Sequence, residues 1–184
     1  MNWMKKVAVA LVCLLPLGLQ AAKVDTLQVK SPSMNKSIEV VVVSPDVAAT
    51  KACPVIYLLH GYGGNARTWV GIKPDLPKIA DEKGIFFVCP DGKNTWYWDS
   101  PLNADVRYET FISNELVKYV DSHYKTVADR KGRAITGLSM GGHGAMWNGL
   151  RHSDVFSAAG STSGGVDIRP FPKNWEMSVQ IGEK

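Results

Sequence analysis

Two short runs decide most of what this chain can become. Residues 54–60 (PVIYLLH) and 85–89 (IFFVC) are apolar almost throughout, with no polar alternation. A strand with one wet face alternates; a strand without alternation is buried on both faces, the habit of parallel sheets covered by helices on either side. Helical signals lie between and after these runs. Residues 76–83 fit a short helix with Pro77 in its first turn and Gly84 as a stop. From 105 to 124, apolar side chains fall at 108, 111, 112, 116, 119, 120 and 124, a helical spacing. Residues 133–137 read as a short strand, 140–151 as a helix despite four glycines, and 156–160 as a further strand. Towards the N-terminus, residues 26–30 alternate like a half-buried edge strand, and 38–43 form a β-branched run closed by Ser44-Pro45-Asp46. Strands alternating with helices predict an α/β fold on a mostly parallel sheet. Residues 161–184 show no convincing element, and nothing resembling an internal repeat or a dividing linker appears.

The chain has 184 residues, 45% hydrophobic and 21% charged, which excludes a disordered tail. Its formal charge is +4, but Lys5 and Lys6 belong to a segment expected to be removed, leaving 19 basic against 17 acidic residues. No basic cluster is present, so no nucleic-acid partner is expected. Residues 1–22 carry two lysines, an apolar run over 7–19 and then Ala21 and Ala22, the layout of a cleavable secretory signal. The run is shorter than the ~20 residues of a spanning helix, so no stable membrane span is expected after cleavage. The expected location is periplasmic or secreted, with residues 23–184 as one domain. Export permits disulfides. Yet Cys53 opens one predicted strand and Cys89 closes its parallel neighbour, so the thiols should be too far apart to bridge. Both are expected buried and free. No His/Cys cluster has ligand spacing, so neither a metal nor a cofactor is expected.

Gly137-Leu138-Ser139-Met140-Gly141 matches G-x-S-x-G between a predicted strand and a predicted helix. A serine leaving a strand and entering a helix in one tight turn is forced into a strained conformation. Its neighbours two positions away must be small, or their side chains would collide. The turn exposes the hydroxyl above the sheet's carboxyl edge, at a helix N-terminus that favours a developing anion. Ser139 is therefore the candidate nucleophile. The P-loop alternative lacks its Lys-Ser/Thr pair.

His60-Gly61-Tyr62-Gly63-Gly64 follows the first buried strand. A hydrolase of this design takes one oxyanion amide from the residue after the nucleophile and another from such a glycine-rich loop. The candidate donors are the N–H groups of Met140 and Tyr62, with Gly63 as the alternative to Tyr62. Each donor of this kind contributes about 3–4 kcal/mol in the transition state. His60 reads as part of the loop signature and as structural. Trp96, Tyr97 and Trp98 lie at a strand's carboxyl end, where they either line a substrate pocket or pack as a cover. Trp69 and Trp147 read as core.

With these motifs placed, the chain resembles the esterase family of α/β-hydrolases that includes S-formylglutathione hydrolases (esterase D), feruloyl and acetyl-xylan esterases and the mycolyltransferases. The resemblance covers roughly residues 36–165. It rests on PVIYLLHGYGGN (54–65), Trp69, CPDGKNTWYWDSP (89–101), YETFISNELVKYVDSHY (108–124) and AITGLSMGGHGAM (134–146). It implies an α/β-hydrolase fold, Ser139 as nucleophile, Tyr62 as an oxyanion amide, and hydrolysis of carboxylic or thio-esters of a small-molecule or glycan-linked substrate.

This fold orders its triad Ser, then Asp or Glu, then His. After Ser139 come only His143, one turn along the same helix, and His152, about 18 Å along it at ~1.5 Å per residue. Neither can reach back over the hydroxyl. Asp154, Asp167, Glu176 and Glu183 read as solvated charges. The expectation is that the chain is the N-terminal two-thirds of a longer enzyme, with the triad acid and histidine beyond residue 184. It would then lack the sheet's last strands, expose 156–160 as an apolar edge, and be nearly inactive alone. The alternatives are an acyltransferase of the same fold, or a catalytically dead glycan-binding or structural fragment.

Overall fold

A computed structural model describes residues 22–170, 174 and 176–182. The predicted signal segment, but for Ala22, lies outside the described residues, as does Glu183. Six strands form one sheet: β1 (Lys23–Ser31), β2 (Lys36–Ser44), β3 (Val55–Leu59), β4 (Phe86–Pro90), β5 (Arg133–Leu138) and β6 (Ala158–Thr162). Their order is β1-β2-β4-β3-β5-β6. β1, β2 and β4 pair antiparallel, whereas β4-β3, β3-β5 and β5-β6 pair parallel. The sheet is thus mostly parallel, with an antiparallel hairpin at one end. Short helices α1 (Thr68–Ile72) and α2 (Leu76–Lys83) join β3 to β4. After β4, α3 (Tyr108–Thr110) passes through a π-turn over Phe111–Glu115 into α4 (Leu116–His123). Helix α5 (Met140–Arg151) joins β5 to β6, and α6 (Met177–Ile181) comes last. None of the described helices is long and apolar enough to cross a membrane.

Non-alternating strands bury both faces, and the core divides accordingly. Val40 and Val42 of β2, Tyr57 and Leu59 of β3, Phe86 and Val88 of β4 and Ile135 of β5 face one layer with Phe111, Leu116 and Val120. Val41, Val43, Leu58, Phe87 and Cys89 face the other with Leu76 and Ala80 of α2. Burial of such side chains contributes about 1.5–3 kcal/mol each, the dominant stabilising influence. Cys53 and Cys89 are buried and unbridged. β3 runs beside β4 with Val55 opposite Phe86, which places the two cysteines towards opposite ends of the pair.

Two expectations need correction. The last strand is two residues later than predicted. Phe156 is not on an exposed edge but 2% exposed, edge-on to Tyr57 at 5.7 Å. The edge strand itself is Ala-Ala-Gly-Ser-Thr, small and largely exposed rather than apolar and bulky. The region beyond 160 also holds an element, α6, anchored by buried Met177.

Candidate active site

The parallel strands β3, β4, β5 and β6 end at the same sheet edge, and the loops after them converge there. Ser139 follows β5, with φ 51° and ψ −118°, a region that side chains other than glycine avoid. Its hydroxyl is exposed and accepts no hydrogen bond from the described residues. Close approach explains the two glycines of the motif. A Cβ on Gly137 would lie 2.4 Å from the Gly141 backbone, and one on Gly141 would lie 2.2 Å from the Leu59 carbonyl oxygen. The turn closes only without side chains at both positions. The Ser139 N–H donates to the Thr162 carbonyl at 2.9 Å, tying the turn to β6.

The loop after β3 lies on one side. The Tyr62 and Met140 amides have no hydrogen-bond partner among the described residues, whereas Gly63 N–H donates to Asn94 Oδ1 at 2.8 Å. Gly63, the alternative donor, is therefore already engaged. His60 is fully buried. Its Nδ1–H donates to the Gly61 carbonyl at 2.7 Å, which leaves Nε2 to accept the Gly92 amide at 2.9 Å. One imidazole thus joins the loops after β3 and β4, as a structural residue. Asp91 Oδ1 lies 3.6 Å from His60 Nε2, and Asp91 Oδ2 lies 2.6 Å from Lys93 Nζ. Burial pushes the Asp91 carboxyl up, but the Lys93 ammonium and the Lys93 N–H, which donates to Oδ1 at 2.9 Å, more than offset that and hold it at about 2.

The aromatic loop splits in two. Trp96 borders a hollow of about 200 Å³ with Ser139, Tyr62, Ser163, Gly164, Gly165, Asp167, Ile168 and Met177. Tyr97 and Trp98 turn inward: the Tyr97 hydroxyl donates to the His60 carbonyl at 3.0 Å, and Trp98 packs edge-on against His143 and Trp147. Those two are the packed cover, and Trp96 alone of the three reaches the hollow. Trp96 and Tyr97 both have positive φ, as does Lys93 just before them. Trp69 and Trp147 are half-buried, with indole N–H groups donating to the Leu59 carbonyl and to Glu109.

Neither late histidine approaches the Ser139 hydroxyl. His143 Nδ1 bonds the Gly165 carbonyl. His152 Nε2 bonds Glu109, which also receives Arg151 and Trp147. Of the late carboxylates, Asp154 is exposed, but Asp167 borders the hollow in a two-pronged pair with Arg169, and Glu176 stands near enough to the Tyr62 phenol to push its pKa up, after burial. Both are exposed, as their reading as solvated charges expects, but they stand beside the Ser139 hollow and its Tyr62 rim. The run Ser163-Gly164-Gly165 was also missed as a wall. Its signal was present: a glycine-rich stretch leaves β6 where the Ser139 turn leaves β5.

The family profile described as "Putative esterase" matches residues 31–181. The chain is 30% identical over 149 residues to "Esterase MT1326" of Mycobacterium tuberculosis (strain CDC 1551 / Oshkosh), covering 77% of this chain and 32% of that protein. It spans about a third of that relative's length. A solved ferulic acid esterase superposes with a TM-score of 0.73 at 30% identity, over 88% of this chain and 68% of the other. An S-formylglutathione hydrolase from Agrobacterium tumefaciens gives 0.77 at 22% identity, over 89% and 66%, a likeness of fold alone.

Proposed function

We propose, because this chain belongs to the Putative esterase family, that it carries the nucleophile and oxyanion site of an exported serine esterase. Ser139 Oγ attacks the carbonyl carbon of a carboxylic or thio-ester. The Tyr62 and Met140 amides receive the oxyanion, the alcohol or thiol departs, and water releases the acid from acyl-Ser139. The observation that carries the reading is the Ser139 turn: a strained, exposed serine, with the Tyr62 and Met140 amides unpaired among the described residues. The hollow beside it is smaller than the ~300–1,000 Å³ of pockets for drug-sized ligands, which favours a short acyl group.

Attack needs a base for the serine proton. Among the described residues no histidine or carboxylate bonds Ser139 Oγ. The reading keeps the triad acid and histidine beyond residue 184, the signal segment at 1–22 and one domain from 23 onward. The 184-residue chain by itself should then retain only the slow turnover that an oxyanion site and binding supply, about 10³–10⁴ over water. In the complete protein, which the reading supplies with its base, p-nitrophenyl acetate turnover should vanish in Ser139→Ala, and so should the fluorophosphonate adduct read by intact mass. Equal turnover by the two proteins overturns the proposal.

A further inference from the structure

His143 lies one turn after Ser139, its N–H donating to the Ser139 carbonyl at 3.0 Å. Its side chain crosses to the opposite wall, where Nδ1 meets the Gly165 carbonyl at 2.7 Å. Because a carbonyl only accepts, Nδ1 carries the hydrogen. The ring is 6% exposed, edge-on to Trp96 at 5.3 Å and Trp98 at 5.0 Å, and stacked on Trp147 at 6.1 Å. Among the described residues, Nε2 is buried without a partner. A buried, half-satisfied imidazole is costly and persists only where something holds it. Burial also pushes its pKa down, partly countered by the Gly165 bond, which favours the neutral ring. Helix and wall approach closely at the same place: a Cβ on Gly142 would lie 2.9 Å from Gly164 Cα.

We propose that His143 is a positioning residue for the Ser139 hollow: its Nδ1–H fixes the Gly165 carbonyl, and with it the wall over residues 163–167, while its ring edge steadies Trp96. This rests on Ser139 being the nucleophile. The oxyanion amides belong to the β3 loop and the start of α5, so His143 governs the fit of the acyl group and not the attack itself.

The test compares His143→Phe, which keeps the flat ring among the indoles but loses the donor, with His143→Asn, whose amide N–H falls close to the Nδ1 position. Hydrogen exchange reads the wall directly. Amides over 164–168, including the Val166 N–H that donates to the Gly164 carbonyl, should exchange about tenfold faster in His143→Phe and within about twofold of wild type in His143→Asn. In the complete protein, labelling by a small alkyl fluorophosphonate should show KI raised about tenfold with kinact unchanged in His143→Phe, and KI restored in His143→Asn. If His143→Phe does not fold, His143→Gln, whose amide reaches the Nε2 position instead, should show the same loosened wall. Asn and Phe behaving alike, or exchange rising equally along α5, overturns the proposal. Failure of the Ser139 reading looks different: Ser139→Ala would be labelled like wild type while the exchange pattern stood.

Discussion

On the β3 and β4 side of Ser139 the chain is locked. His60 bonds both loops, the Tyr97 hydroxyl holds the His60 carbonyl, and Asn94 holds Gly63. On the β6 side the strand is small and exposed, and among the described residues, 163–170 have few ties, the His143–Gly165 bond chief among them. Under the proposed function, the contrast follows what each side would do. Oxyanion donors act only if they are fixed before charge develops. A wall against the acyl group can give way, and on this side it is fastened at isolated points.

Four substitutions sharpen or break that contrast. The largest effect is expected at a deep anchor of the open side. Phe156→Ala should destabilise by about 4 kcal/mol in denaturant unfolding, from lost burial and a cavity beside Tyr57; a loss below about 1 kcal/mol would mean that β6 is held by pairing alone. On the locked side, Gly141→Ala should cost about 3 kcal/mol, because its Cβ meets the backbone of Leu59 and His60, which cannot rotate away. A fully stable Gly141→Ala would show that the turn yields.

Asp91 gives the locked side a pH dependence. Its folded pKa, about 2, lies below the ordinary 3.8. The stability it contributes is therefore present above about pH 4 and is lost as pH falls towards 2. Wild type should lose about 1–2 kcal/mol over that window that Asp91→Asn does not lose, read by melting at stepped pH. Parallel acid profiles would remove Asp91 from the lock. The smallest effect belongs to the rim of the open side: Arg169→Ala breaks an exposed pair with Asp167 and should leave the melting temperature unchanged. A clear drop would mean that this rim is tied as firmly as its opposite.

What could be read in the sequence follows the same division. β3 and β4 were legible because burial on both faces leaves an unbroken apolar run, and the Ser139 turn because sterics demand glycine at 137 and 141. α2 was legible from Pro77 and Gly84 down to its limits. β6 was not. Phe156 drew the strand two residues early, since it is the apolar residue of that stretch, whereas the strand proper is built of small residues with no face to bury. The fates of Trp96 and Tyr97 were closed to pattern reading, because consecutive left-handed aromatics follow from tertiary packing and not from local preference. The Asn94–Gly63 and His143–Gly165 bonds join segments far apart in sequence and leave no periodic trace.

The backbone at Ser139 has one more consequence. A non-glycine residue at φ 51° and ψ −118° holds roughly 1–3 kcal/mol of conformational strain. Glycine would occupy that corner without penalty, though it frees the unfolded chain somewhat. The position thus sets folding against activity. A lineage released from selection on its hydroxyl would drift towards the smaller residue, and the fold would outlast the chemistry for which the turn is shaped.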